Sequence, residues 1–396
     1  MSETTLKHIE HLTNTLGPRG STTPEERAAH DYCQATLEGL GYEVTRETYN
    51  SPTSGWAPYS LAGFLMLLAT AIFWLLGRGE NAQAGALAAA ALGLIVVVSF
   101  FLHITHRPGP LLWLMPVAPS QNVWAVAAPS GEIKHKVVVT GHVDTHRTAL
   151  AMQSPGLWQV FRVLTSAVTV AYVALVAMFV WGIFTPDALP RNIAASLAVL
   201  VIVGLVFTIQ PDYSPFVRGA NDNASGAAAV LALAERLKGE PLNQTAVYLV
   251  NTGCEEVGCF GIIDFIQRHR AGAARDARYL VLDNIAGRGS DVNYVLDETL
   301  LLPVASDAGL LKVAEKVAQA NPEIGAKPWH YRGLTSELAV ATAHGAKALG
   351  LLDFDPKTGT PPNFHTRRDN MSNIDAAVLE RTEQFVWAIL KEIDGE

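Results

Sequence analysis

Four long stretches without a charged side chain limit what this chain can fold into. No charge stands between Glu47 and Arg78, and residues 61–76 are almost continuously apolar. Residues 82–104 form a second apolar run. The 24 residues between Arg162 and Asp187 form a third, and the 20 between Arg191 and Asp212 a fourth. A helix needs about 20 apolar residues to cross a bilayer, and each uncharged stretch reaches that length. Residues 77–81 turn the first pair; Asp187, Leu189 and Pro190 turn the second. The runs therefore read as two helical hairpins, with Trp56, Trp74 and Trp113 near the expected interfaces, where aromatic belts form. Three polar segments are left over and must share one side of the membrane. The expected division is one interrupted globular domain, residues 1–50, 117–150 and 213–396, with hairpins at 57–105 and 160–211.

Charged residues make up 17% of the 396, with a net charge of -8. That balance leaves no basic footprint for nucleic acid, so none is expected as a partner. Cys33, Cys254 and Cys259 cannot form a closed disulfide set and lack structural-zinc spacing. The N-terminal residues have no apolar secretory core. Arg107, Arg147, Arg162 and Arg218 flank the spans on the polar-segment side, against Arg78 and Arg191 in the opposite turns. The positive-inside rule then places the polar domain in the cytoplasm of an integral, multi-pass protein.

The polar segments alternate strand and helix patterns. Leu6, Ile9, Leu12 and Leu16 form one stripe of a helix over residues 5–16, and a second helix starts at Thr23 and stops at Gly41. Strands are expected at 42–48, 122–127, 136–141, 247–250, 279–283 and 348–353, with an edge strand at 292–296. One helix is expected to open on residues 219–226 and continue to Lys238, and others at 257–270, 310–320, 338–343 and 375–393. Repeated strand–helix units point to an α/β domain: a mainly parallel, mixed sheet with helices on both faces.

The chemistry centres on Asn251-Thr-Gly-Cys-Glu-Glu-Val-Gly, at the end of an apolar strand. Ligands in open α/β sheets bind outside such strand ends. Adjacent Glu255 and Glu256 point in different directions, so one can hold a metal while the other takes a proton from water. A solvated acidic turn is the bland alternative. His142, Asp222, Glu256, Asp283 and His365 are the candidate ligands, and a sheet of this kind lets them converge at one edge. Singly, each reads as a core hydrogen-bonder or a cap, as Asp369 also does; His146 and His344 read as non-ligands. Imidazole and carboxylate donors without thiolate suit Zn²⁺, and Mn²⁺ or Co²⁺ satisfy the same set.

In this order the residues resemble those of the co-catalytic zinc peptidases, a family that includes aminopeptidase Y, bacterial leucine-type aminopeptidases and glutamate carboxypeptidases. The matching motifs are Gly141-His142-Val143-Asp144, Gly219-Ala-Asn-Asp222-Asn-Ala-Ser-Gly226, Glu255-Glu256-Val-Gly258, Leu282-Asp283 and His365-Thr366. Leu16-Gly-Pro-Arg-Gly20 and Gly41-Tyr-Glu-Val44 add to the likeness. It spans the polar segments only and implies a phosphorylase/hydrolase-like zinc peptidase domain with two Zn²⁺. Carried over motif by motif, Asp222 bridges both ions, His142 and Asp283 complete one site, and Glu256 and His365 the other. Asp144 orients His142, and Glu255 is the general base. The implied activity is a membrane metalloaminopeptidase acting on peptides. A carboxypeptidase or dipeptidase needs a cation for the substrate's free carboxylate, with Arg218, Arg332, Arg367 and Arg368 as candidates. Glutaminyl cyclases resemble the family but keep one zinc, which His142 argues against; a receptor-like scaffold would lack ligands that are all present here. The second hairpin is a departure from the family, setting His142 far from Asp222 in sequence.

Overall fold

Successive side chains in the central strands face two different apolar cores, as the two-residue period of a strand requires. Val137 and Val139 enter one core, and Val138 the other. Val247 and Leu249 likewise oppose Ala246, Tyr248 and Val250, and Leu280 and Leu282 oppose Tyr279 and Val281. A strand buried on both faces needs helices on both sides. The first core is closed by helices Pro24–Gly39, Gly226–Gly239, Ala308–Ala320 and Ala376–Asp394, through Leu37, Val230, Leu310 and Phe385. Helices Phe260–His269 and Glu337–Ala343 close the second, through Ile262, Phe265 and Leu338. Full burial of each such Leu, Val or Phe contributes about 1.5–3 kcal/mol.

The structure is a computed structural model describing residues 1–300 and 302–396. The chain divides into two compact units: Met1–Thr53, Val117–Thr148 and Phe216–Glu396 form one, and Ser54–Pro116 with Ala149–Pro215 the other. Among the described residues of the first unit, nine strands make one mixed sheet. They are β1 (Val44–Pro52), β2 (Val117–Ala127), β3 (His135–His142), β4 (Thr245–Thr252), β5 (Arg278–Leu282), β6 (Asn293–Thr299), β7 (Pro303–Ala305), β8 (Lys327–Arg332) and β9 (Lys347–Leu351). The order is β1-β2-β4-β3-β5-β9-β6-β7, with β8 also on β6. Strands β4, β3, β5 and β9 run parallel, while β1, β2 and the β6–β7 pair add antiparallel flanks.

The expected edge strand at 292–296 is interior. Strand β6 meets β8 along one side and, on the other, β9 at Tyr294 and β7 at Asp297, Glu298 and Thr299. Both outer strands escape a reading from pattern because each is short and carries a proline, Pro303 or Pro328. The helix expected over 5–16 is α-helical only over Ser2–Glu10, and passes into a wider turn over His11–Leu16 before Gly17 ends it at φ 77°.

The second unit holds the apolar runs as helices Ala57–Leu76, Ala82–Ile104, Pro155–Phe184 and Ala188–Ile209. Ser154 caps the third, its Oγ accepting from the Leu157 N–H at 3.2 Å. Inside the bundle small residues admit large neighbours: Gly63 faces Leu205, and Gly93 faces Val176 and Phe179. Phe73 meets Phe179 edge-to-face with centroids 5.2 Å apart. Leu75, Val170 and Phe184 lie on the outer surface, the last 82% exposed. All four helical stretches are long and apolar enough to cross a membrane.

Candidate metal centre

Parallel strands β3, β4 and β5 end at one edge of the sheet, and each hands a polar side chain to the space beyond it. His142 is the last residue of β3, beside Thr252 of β4. Glu255 and Glu256 follow in the turn after β4, and Asp283 directly follows β5. Backbones must come close for these donors to meet. A side chain at Gly141 would meet the Gly226 carbonyl carbon at 2.5 Å, so glycine there lets β3 lie against the start of helix Gly226–Gly239. That contact brings Asp222, just before the helix, to His142.

The Asp222 carboxylate faces two imidazoles. Its Oδ1 lies 3.6 Å from His142 Nε2, and its Oδ2 lies 3.0 Å from His365 Nε2. Asp283 Oδ1 also stands 3.6 Å from His142 Nε2, and Glu256 Oε2 stands 3.3 Å from His365 Nε2. The five expected ligands thus gather in one place, with Asp222 facing both His142 and His365. His142, Asp222 and Asp283 offer donor atoms all within 4.8 Å of one another. Glu255 Oε2 is 3.9 Å from His142 Nε2, and its side chain keeps 12% of its surface exposed.

Four buried atoms here lack a hydrogen-bond partner: His142 Nε2, Asp222 Oδ2, Glu256 Oε1 and His365 Nδ1. Buried polar atoms are normally satisfied. His142 Nε2 stands within 4 Å of the carboxylates of Asp222, Glu255 and Asp283, and Asp222 Oδ2 faces His365 Nε2. Burial and the Asp222 charge push Glu256 up to about 8. Burial, against the pull of His142, also raises Glu255 and Asp283, with neighbouring carboxylates adding to it. Burial opposes charge on the histidines, yet Glu256 and Asp222 raise His365 to about 10, and Glu255 and Asp144 raise His142 well above its ordinary value. Such a crowd of buried carboxylates and imidazoles is what a cation resolves, and the residues fit zinc.

Supporting groups hold the donors in place. Asp144 Oδ1 accepts the Glu255 N–H and Oδ2 the Glu256 N–H, both at 3.1 Å, while Ser21 Oγ donates to Oδ2 at 2.6 Å. Its Oδ1 is also 3.4 Å from His142 Nδ1, which meets the Asp144 main-chain carbonyl at 3.2 Å. Asp369, read from sequence as a cap, instead accepts the N–H groups of Asn221 and Asp222. Glu337 lies beneath the centre and accepts from Thr140 Oγ1 and Thr252 Oγ1 at 2.9 and 2.7 Å; burial lifts it to about 7. Arg19, fully buried, donates to the carbonyls of Leu12, Gly17, Val143, Arg218 and Gly219. Arg19 stands in the Leu16–Gly20 likeness and Asp369 reads as a cap, but neither these signals nor any spacing at Glu337 names the partners the tertiary fold gives them.

His146, which reads from sequence as a non-ligand, stands beside Glu256 and His365. Its donor atom lies within 4.8 Å of those of Glu256 and His365. Its ring stacks on His365 at 3.7 Å and 9°, while Phe364 covers His365 at 3.7 Å and 22°. In-plane lone pairs of two parallel stacked rings run alongside each other rather than converge on one ion. The arginines proposed for a substrate carboxylate are exposed: Arg332 pairs with Asp297, Arg218 donates to Asn14 Oδ1, and Arg367 and Arg368 face outward.

Residues 203–390 match the model of Peptidase family M28. No curated protein matches the sequence significantly. Among solved structures the chain is similar to a zinc aminopeptidase from Bacillus subtilis, with TM-score 0.58 and 16% identity over 99% of this chain and 95% of that one. It is similar to a leucine aminopeptidase precursor from Bacteroides thetaiotaomicron, TM-score 0.55 and 15% identity over 99% and 97%. A glutaminyl cyclase from the same organism gives TM-score 0.56 and 16% identity over 99% and 97%. The fold is like that of the M28 zinc exopeptidases, and solved peptidases and cyclases alike share it.

Proposed function

We propose that this chain, M28-like over residues 203–390, is a membrane-integral zinc aminopeptidase that removes N-terminal residues from peptides. One observation carries the reading: Asp222 presents one carboxylate oxygen to His142 and the other to His365, with Glu255 beside them. His142 and Asp283 would hold one zinc and Glu256 and His365 a second, with Asp222 between; Mn²⁺ or Co²⁺ suits the same donors. Such a pair, when bound, polarises a peptide carbonyl and lowers the pKa of water toward neutrality.

The chain's own residues supply the rest. A carboxylate held by a metal cannot shuttle protons, so the base must be a separate one. Glu255 Oε2 faces the donor cluster and is reached by solvent; it takes the proton from the attacking water and returns it to the leaving amine. Asp144 fixes both glutamates through their backbone N–H groups, so the base and its ligand neighbour move as one piece. The full set of donors favours hydrolysis over the cyclase reading, and the engagement of Arg332 with Asp297 weighs against a carboxypeptidase.

The four apolar helices support insertion in a bilayer, with the arginine bias favouring a cytoplasmic domain. The test is a substrate panel for the full chain in detergent, stripped with chelator and reloaded with zinc. Amino-acid anilides and free peptides should be cleaved, and N-blocked peptides should not. Cleavage only from the carboxyl end, or only cyclisation of N-terminal glutamine, would replace this reading. Glu255→Gln should keep its zinc and lose turnover by about 10²–10⁴-fold, the usual worth of a general base.

A further inference from the structure

Glu255 has a second oxygen, and that oxygen has a partner the reaction does not require. Cys259 Sγ lies 3.2 Å from Glu255 Oε1, buried in the core of Ile262 and Phe265. The turn between the two is closed by backbone bonds from Gly258 N and Cys259 N to the Glu255 carbonyl at 2.9 and 2.8 Å. The thiol therefore approaches the carboxylate across a fixed four-residue step.

We propose that Cys259 is a positioning residue for the base: its S–H holds Glu255 Oε1 and so keeps Oε2 turned toward His142. This rests on Glu255 being the base. Three features of the turn carry it. A carboxylate on a flexible side chain has several rotamers, and fixing one oxygen selects among them. Cys259 occupies the N-cap of helix Phe260–His269 at φ 58°, a left-handed conformation that glycine or asparagine adopts more easily. It makes no side-chain cap bond to the helix it precedes. The side chain is thus directed away from the helix end and onto the glutamate. The thiol is also the right partner in its protonated form, because an S–H can donate whereas a thiolate would repel the carboxylate.

Three variants of the full chain test this, each assayed for zinc content, kcat and KM. Cys259→Ser keeps a donor at nearly the same place, and Cys259→Ala removes it. We expect Cys259→Ala to lower kcat about tenfold, part of the worth of a general base. KM and zinc content should stay unchanged, and Cys259→Ser should remain within about twofold of the parent chain. In the Glu255→Gln background the alanine change should add no further loss, since the group it positions is gone. Full kcat in Cys259→Ala overturns the proposal. So does equal damage from serine and alanine, or a loss that persists undiminished on the Glu255→Gln background. If Glu255→Gln itself retains turnover, the assignment of the base fails, and that result is distinct from any behaviour of the cysteine variants.

Discussion

Asp369 Oδ2 accepts the backbone N–H of Asp222 at 3.0 Å, and its Oδ1 takes the neighbouring Asn221 N–H at 2.9 Å. The residue that faces both His142 and His365 is therefore held by its main chain. Asn373 Nδ2 donates to the same carboxylate at 2.9 Å, and burial keeps Asp369 near 7 rather than in the ordinary carboxylate range.

Asp369→Asn keeps the shape but replaces one acceptor oxygen by a donor that faces an N–H. We expect zinc affinity to fall by about 10–100-fold, the usual effect of losing a partner that orients ligands. Zinc titration against a competing chelator measures it. Unchanged affinity would mean that the Asp222 backbone needs no such restraint.

Stability without metal should fall as pH rises. Glu256 moves from 4.5 to about 8 on folding, by burial and Asp222. His365 moves from 6.5 to about 10, as Glu256 and Asp222 outweigh burial. Both groups bind protons more tightly when folded. The contribution of Glu256 is complete below 4.5 and lost as pH rises through about 8; that of His365 is complete below 6.5 and lost through about 10. Zinc reverses the sign, because it binds the deprotonated donors and does so better at higher pH. Thermal unfolding of chelated and zinc-loaded protein between about pH 5 and pH 9 should diverge steadily. Parallel curves would contradict it.

Three of the candidate donors, His142, Glu256 and Asp283, were legible in sequence because each stands at or just after the end of a readable strand. His142 ends β3, and Asp283 follows β5, so the parallel register alone carries them to one edge. The four apolar runs were legible for the same reason: length and composition suffice. What pattern cannot give is a partner chosen by the tertiary fold. Glu26 reads as an ordinary first-turn residue after Thr23, yet its carboxylate accepts the Cys254 and Thr22 N–H groups at 2.9 and 2.8 Å. Arg19 stands in a motif that adds only to the family likeness, yet it is fully buried among five carbonyls.

His146 braces His365 by its ring. A carbonyl can only accept, so the 2.5 Å contact with the Arg147 oxygen makes His146 Nδ1 the protonated nitrogen and fixes the plane of the ring. His146→Phe keeps a flat ring against His365, whereas His146→Ala leaves that face open. We expect zinc affinity near that of the parent chain in the first and about tenfold weaker in the second. Equal loss in both would show that a nitrogen, not a surface, is what the site uses.

Gly182 tests the packing of the helical bundle. A Cβ there would lie 2.2 Å from Phe73 Cε2, and Phe73 is already set edge-to-face against Phe179. Neither ring has room to retreat: Phe73 is 1% exposed and Phe179 fully buried. Gly182→Leu must therefore push helices Ala57–Leu76 and Pro155–Phe184 apart at this level. Overpacking of this kind destabilises by about 1–3 kcal/mol. Val170, 68% exposed on the third helix, provides the comparison, because Val170→Leu adds a methylene to an open face. Thermal unfolding in detergent should drop for the glycine variant and stay put for the valine variant. If the two melt together, the apolar helices do not meet at Gly182, and the glycine serves only the flexibility of its own helix.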